Sequence, residues 1–251
     1  MPSGLTHRVK AAGLASVAFA GTILVLAGHE PPVDLSTSLA QLAAKGTEVD
    51  EEILRLRHGR SEHYDDLARL RDEMSSAWFV VRDAVTSSAG AGTLADLQGH
   101  LEAFEQSLTE RLELIDEFPS SNAGLHNSQR VFLLVAEACA RQLEGAPTPE
   151  AARAATLVRS LVGQVAQQAM GLGNADTLAA LSAELGEPGM EFEGLARLLG
   201  TTELLAEDLR AVDELVDRIV GSEHDQTLAR LMLSHESTEA EQLAPGEGVR
   251  L

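Results

Sequence analysis

Apolar residues between positions 51 and 85 recur at alternating intervals of three and four, the pattern of one face of a helix in a bundle. The stripe starts at Ile53, passes through the polar residues Arg60 and His63, and reaches Val81. We therefore predict one long helix over residues 51–85. The small residues at 87–92, Ser-Ser-Ala-Gly-Ala-Gly, predict the turn that ends it.

A second and longer stripe runs from Leu94 to Leu143 with the same alternation. Pro119 lies within it and lacks a backbone donor, which predicts either a kink or a break with a new helix start. The register continues unchanged on both sides of Pro119, and this favours the kink. Asn122 falls on the apolar seam, where an amide needs a hydrogen-bonding partner.

The remainder of the chain also shows helical spacing and no strand pattern. Thr148 followed by Pro149 predicts a helix start, and Gly221 predicts a helix end. The expected fold is all-α: an N-terminal membrane helix followed by long antiparallel helices in one or two helical bundles. The predicted segments are a signal anchor or signal peptide at 1–28, a first bundle segment at 29–145, a second at 146–243 and a disordered tail at 244–251. Within the second segment we predict helices at 149–170, 176–185, 195–219 and 222–242.

Residues 11–27 carry no charge, and these 17 residues follow His7, Arg8 and Lys10. As a helix they span roughly 25 Å, which is short for a membrane anchor but longer than the usual apolar core of a signal peptide. An uncleaved anchor, a signal cleaved after Val25-Leu26-Ala27, and a buried core helix all remain open. The first two place the N-terminus in the cytoplasm and export residues 28–251. We therefore expect the chain at the inner membrane, with its bulk in the periplasm or another extracytoplasmic space.

Composition and charge narrow the possible functions. Aromatic residues make up only 3% of the chain, so a core of Leu, Ala and Val is expected, as in helical proteins. The formal net charge of −20 excludes the basic footprint that nucleic-acid binding needs. Cys139 is the one cysteine and has apolar neighbours, which predicts a small core residue rather than a nucleophile.

No catalytic, cofactor-binding or metal-binding motif is present. The histidines show no i, i+4 pair, and neither a phosphate-binding glycine loop nor a nucleophile elbow occurs. The chain is therefore expected not to be an enzyme and to hold no metal or cofactor.

Two polar clusters remain, and each has two interpretations. In the first, Arg57, His63 and Tyr64 could bind an anionic or amide-bearing ligand between helices. Alternatively, the arginine extends to solvent and the tyrosine covers the edge of the bundle. In the second cluster, Asn122 either faces a ligand or fixes the register of the helices.

Both clusters resemble motifs of a known family. Residues 52–59, Glu-Ile-Leu-Arg-Leu-Arg-His-Gly, with Tyr64-Asp65-Asp66-Leu67 resemble the opening motif of the double all-alpha-helical ligand-binding domain, the DAHL domain. Phe118 and the run Asn122-Ala123-Gly124-Leu125-His126-Asn127-Ser128 resemble its second motif. The two occur in the family's order, and the resemblance covers roughly residues 35–240.

The resemblance implies an extracytoplasmic sensor domain of a bacterial membrane receptor, joined to a histidine kinase, a cyclase or a similar output module. The output module is expected to lie outside these 251 residues. The implied partners are an unknown small-molecule ligand or periplasmic protein, the inner membrane and, in a complete receptor, a second copy of the chain. The alternative is a membrane-anchored helical scaffold or interaction protein. The residues that the resemblance marks for ligand binding or core organisation are Arg57, Tyr64, Asp65, Asn122 and Asn127.

Overall fold

The computed structural model describes residues 34–243 except 62, 89–90, 147, 170–174, 188–191 and 193. These residues form seven α-helices and no strand, which confirms the all-α prediction. The helices are α1 (Leu35–Arg57), α2 (Asp65–Ser88), α3 (Ala91–Glu144), α4 (Pro149–Ala169), α5 (Ala175–Leu185), α6 (Leu195–Val220) and α7 (Ser222–Leu243).

The single helix predicted over residues 51–85 is wrong, because the chain turns back after Arg57 and restarts at Asp65. The turn is a Schellman motif: the Gly59 N–H bonds to the Leu56 carbonyl at 3.1 Å, and the Arg60 N–H to the Arg55 carbonyl at 2.9 Å. Gly59 takes a φ of +63°, which suits glycine. The apolar spacing continues through this turn, so periodicity alone does not reveal it.

Helix α3 is 54 residues long and continues through Pro119, so the alternative of a break with a new helix start is wrong, and the kink stays a prediction. Such a helix extends over about 80 Å. Its seam is buried as the stripe predicts, and the phenylalanines at 104, 118 and 132, two heptads apart, are each fully buried. The polar residues Arg111 and Asn122 lie on the same buried seam.

Helix α3 is shared by two rings of four helices. In the first ring α3 contacts α7, α7 contacts α1, α1 contacts α2, and α2 contacts α3. In the second ring α3 contacts α4, α4 contacts α5, α5 contacts α6, and α6 contacts α3. Each ring closes on itself and can therefore bury a core on the inner faces of its four helices.

Polar contacts between helices show how the helices are oriented relative to one another. In α2 and α3, Arg71 pairs with Asp116 at 2.9 Å and Arg82 with Glu105 at 3.0 Å, so the two helices are antiparallel. Two serines of α3 contact the helices that follow. Ser128 donates to Asp208 of α6, and Ser107 accepts from Thr227 of α7 at 3.3 Å. Helices α6 and α7 therefore follow each other along α3, one in each ring.

The division of the chain into bundle segments 29–145 and 146–243 stays a prediction. Helix α3, which lies before that boundary, contacts α4 and α6, which lie after it, and the described residues form one compact unit. The predicted anchor or signal at 1–28 and the tail at 244–251 lie outside the described residues. No helix in the described part combines the length and apolar character that crossing a membrane requires.

Candidate functional site

A buried amide joins α3 to the turn between α1 and α2. Asn122 is completely buried, and its side-chain nitrogen donates to the Leu56 carbonyl and to the Tyr64 hydroxyl, each at 3.1 Å. The Leu56 carbonyl already accepts from the Gly59 N–H in the turn, and a carbonyl oxygen has room for this second donor. Asn122 therefore provides a donor to the end of α1 and holds Tyr64 beside it.

His126, one helical turn after Asn122, completes this network. Its Nε2 lies 3.4 Å from both the Asn122 amide nitrogen and the Leu56 carbonyl oxygen, and its Nδ1 lies 3.2 Å from Gln129 Oε1. A Cβ atom added to Gly59 would meet the His126 ring carbon at 3.6 Å. The imidazole is thus held between the turn and α3, while part of it stays exposed.

Beside this network lies a surface cleft of about 580 Å³, a size typical of small-molecule sites. The α1–α2 turn forms one wall and α3 forms the other. Its lining combines the Tyr64 ring with amide, imidazole and guanidinium groups. The residues that line it are His58, Gly59, Ser61, Tyr64, Ala123, His126, Asn127, Gln129, Arg130 and Leu133.

The cleft offers hydrogen-bond donors of several kinds. Arg130 is exposed, and no ion pair to it is found among the described residues. Burial, and the nearby charges of Arg57 and Arg60, lower the pKa of the His58 imidazole. His58 is therefore neutral at pH 7, and Arg130 is the only arginine or lysine in the lining.

Arg57 lies apart from the cleft lining and joins α1 to α6. Its Nε and Nη2 donate to one carboxylate oxygen of Asp213, at 2.9 and 2.6 Å. Arg57 is 7% exposed, and its Nη1 has no hydrogen-bond partner in the part of the chain that the structure describes. The carboxylate is half exposed, so the pair spans the boundary between core and solvent. In this structure Arg57 organises the junction between the two rings.

The five residues that the sequence analysis selected are thus divided among four places. Tyr64 and Asn122 meet in the buried network, and Asn127 lines the cleft from α3. Asp65 is exposed in the first turn of α2, where a carboxylate interacts favourably with the helix dipole. Arg57 binds Asp213, as described above.

The sequence alone does not identify Gln129, Arg130 or Asp213 as residues of the site. Gln129 and Arg130 follow the second motif directly, and their position on α3 could have suggested them. No local signal identifies Asp213, which lies 156 residues from Arg57 along the chain.

The described residues contain no group of three or more His, Cys, Asp or Glu side chains that could hold a metal ion. Cys139 is buried and free, as predicted, and burial raises the pKa of its thiol. A thiol of this kind is a poor nucleophile.

The comparisons with known proteins agree with the two motifs around this network. A family model described as the DAHL domain matches residues 30–244. The chain belongs to the DAHL domain family. The DAHL domain is a sensor-type helical domain, and the match covers nearly the whole chain, including every described helix. No curated protein and no solved structure matches this chain.

The two stretches that resemble DAHL motifs lie together in the structure. The first motif supplies the end of α1, the Schellman turn and Tyr64, and the second supplies Asn122, His126 and Asn127. They meet across the junction of the two rings, although Asn122 and Leu56 are 66 residues apart in sequence. The cleft of this DAHL domain is therefore built mainly by its two motifs.

Proposed function

We propose that this chain is the extracytoplasmic ligand-sensing domain of a membrane signal-transduction receptor of the histidine kinase or cyclase type. The observation that carries the proposal is the cleft beside the Asn122 network, with Asn127 and Arg130 exposed in its wall. The ligand would be a small molecule with an anionic or amide group, which matches the donors of the lining. The membrane attachment and the output module belong to the proposal and not to the described structure.

The position of the cleft supports a sensing role. Its ligand would contact the α1–α2 turn and α3 together, and α3 belongs to both rings. A ligand that binds one arrangement of these helices more tightly than another shifts the population toward that arrangement. Small shifts of packed helices are a common form of such switching.

The test is a thermal-shift screen of the purified full-length chain against small metabolites. The variants Asn127→Ala and Arg130→Ala alter exposed cleft residues and should leave the fold intact. Gln106→Ala changes an exposed residue of α3 outside the cleft and serves as the matched control. A compound that binds the folded state raises the melting temperature. The shift should be reduced in the two cleft variants and kept in the control.

The alternative function, a membrane-anchored helical scaffold or interaction protein, is favoured by a different observation. Among the residues that the structure describes, four large apolar side chains are more than half exposed, namely Phe79, Leu134, Leu204 and Leu233. Exposed apolar groups of this size can contact a partner protein. If no metabolite shifts the melting temperature of the well-folded chain, the sensing proposal is wrong. A partner whose binding is lost in Leu134→Ser and Leu204→Ser would then support the scaffold.

A further inference from the structure

The cleft beside the Asn122 network, which we call the first cleft, differs in charge from the rest of the molecule. The described residues that line it include no Asp and no Glu, and Arg130 is their one arginine or lysine. Three other clefts on the described chain each have at least two carboxylates in their linings. In a chain with 39 acidic side chains and 19 lysines and arginines, such a lining favours an anionic ligand.

The charges near the α1–α2 turn also favour an anion. Burial lowers the pKa of the His58 imidazole most, and the charges of Arg57 and Arg60 lower it further. The opposing effect of Asp213 is smaller than either. Because His58 lines the first cleft, this wall lies in a positive field, although the net charge of the chain is −20.

The Tyr64 hydroxyl supplies a donor that is not used within the described chain. The Asn122 amide nitrogen donates to this oxygen at 3.1 Å, so the hydroxyl is the acceptor in that contact. A tyrosine hydroxyl also carries a proton of its own, and no hydrogen bond from that proton is found among the described residues. Tyr64 is partly exposed and lines the first cleft, so the proton can be donated to a ligand there.

The same hydroxyl connects the first cleft to the end of α1. Asn122 donates both to Tyr64 and to the Leu56 carbonyl, which belongs to the Schellman turn. Hydrogen bonds in a chain polarise one another, so a ligand that accepts from Tyr64 strengthens the bond from Asn122 to Tyr64. An acceptor in the cleft therefore acts on the contact that holds α3 beside the turn.

Arg130 and Tyr64 can reach one ligand. Arg130 follows Asn122, the partner of Tyr64, by eight residues on α3, which is about 12 Å along the helix axis. Long side chains of a helix point back toward its N-terminus, and this direction shortens the distance from the guanidinium to Tyr64. Both residues line the same cleft of about 580 Å³.

We propose that the first cleft binds a small organic monocarboxylate, which accepts from the Tyr64 hydroxyl and from the Arg130 guanidinium. This inference rests on the proposed sensing function and names its ligand class. A carboxylate has two oxygens, and each can accept a charge-assisted hydrogen bond. One guanidinium balances one negative charge, which favours a monocarboxylate over a phosphate dianion. Ala123 and Leu133 in the lining provide apolar surface for the body of the ligand.

The experiment screens the full-length chain against small monocarboxylic acids at pH 7, by thermal shift and titration calorimetry. Each acid that binds is compared with its primary amide, with the amine of the same carbon skeleton and with inorganic phosphate. Tyr64→Phe removes the hydroxyl and keeps the ring. This variant should fold, because the Asn122 amide nitrogen retains the Leu56 carbonyl and His126 Nε2 as acceptors.

Variants of Arg130 test the charge. Arg130→Gln removes it, and Arg130→Lys restores it without the planar guanidinium. Arg141→Gln changes an arginine of α3 that is 70% exposed and does not line the first cleft, so it is the matched control.

At least one acid should raise the melting temperature, and its amide, its amine and phosphate should bind more weakly. Tyr64→Phe and Arg130→Gln should each weaken binding about tenfold, roughly the effect of losing one hydrogen bond to a charged group. Arg130→Lys should recover part of that loss, and Arg141→Gln should leave binding unchanged. Added salt should weaken binding to the parent chain, because Arg130 is exposed to solvent.

Two results would overturn the proposal and leave the sensing function standing. In the first, an amide, an amine or phosphate binds as tightly as every acid tested, and its effect is lost in Asn127→Ala. In the second, an acid loses its effect in Asn127→Ala but binds Tyr64→Phe and Arg130→Gln as tightly as the parent. If no compound of any class binds the well-folded chain, the sensing function and the ligand class are both wrong.

Discussion

At the scale of single residues, the polar side chains on the buried faces of α1 and α3 connect helices that are distant in sequence. Asn122 binds the end of α1, Arg111 binds Asp50, and Arg57 binds Asp213. The alternating pattern of α3 predicts that Asn122 is buried. It does not predict the partner, because Leu56 and Tyr64 reach Asn122 only after the chain has folded back twice. Periodicity thus identifies polar residues on a seam, and their partners require the tertiary structure.

The Arg57–Asp213 pair should contribute more to stability than an exposed ion pair. Asp213→Asn leaves a buried guanidinium without an anion and should lower the free energy of unfolding by about 1.5–3 kcal/mol, toward the lower end because the carboxylate is half exposed. Urea unfolding monitored by circular dichroism provides the measurement. Glu105→Gln breaks the exposed pair with Arg82 and should cost no more than about 1 kcal/mol. Equal losses of unfolding free energy in the two variants would show that the burial of Arg57 does not strengthen its ion pair.

His224 makes the stability of the chain depend on pH. Burial, and secondarily the charge of Arg111, lower the pKa of its imidazole from 6.5 to about 3. The unfolded state therefore binds more protons between these values, so the stability from neutral His224 is fully present above pH 6.5 and is lost as the pH falls toward 3. The loss is about 1.4 kcal/mol for each pH unit well inside this window.

Replacing His224 should remove that dependence. Between pH 6 and pH 4.5, the free energy of unfolding should fall more steeply in the parent than in His224→Leu. The two slopes should differ by about 1.4 kcal/mol per pH unit. Urea unfolding at several pH values measures both slopes. His100→Gln alters an exposed histidine of α3 and should leave the slope unchanged. Parallel pH profiles for the parent and His224→Leu would mean that His224 titrates normally in the folded chain.

At the scale of helices, local signals predict the continuous register of α3, the start of α4 at Pro149 and the end of α6 before Gly221. The α1–α2 turn is missed because Leu56 and Leu67 keep the spacing of a continuous helix across it. The overlooked signals are Gly59 after the basic residues of α1 and the acidic pair Asp65 and Asp66. The stripe of α1 could also have been extended upstream, since buried residues continue back to Leu35 at intervals of three and four.

Two glycines on either side of the Asn122 network should respond oppositely to the same substitution. Gly124 lies inside α3, and a Cβ there would meet nothing within 4 Å. Gly124→Ala should therefore raise the free energy of unfolding by about 0.5–1 kcal/mol. Gly59 has a positive φ, so Gly59→Ala should lower it by about 1–2 kcal/mol. Denaturant unfolding of both variants checks the pair, and a stabilising Gly59→Ala would argue against the Schellman turn.

At the scale of the whole molecule, two rings of four helices share α3, and the two stretches that resemble DAHL motifs meet beside it. The sequence predicts the helices and the family but not the closed rings, because each ring contains helices that are distant along the chain. The first ring requires α7, at the C-terminal end of the described chain, to pack beside α1. This arrangement places the first cleft against the helix that both rings share.

The most direct test of the sensing proposal is amide hydrogen exchange of the full-length chain, with and without the compounds that raise its melting temperature. A ligand in the first cleft should slow exchange in residues 58–64 and 123–133, and its effect should spread along α3 into both rings. Asn127→Ala should reduce this protection. If no stabilising compound protects the α1–α2 turn, or if the protected amides lie away from both walls of the cleft, the cleft is not the sensing site.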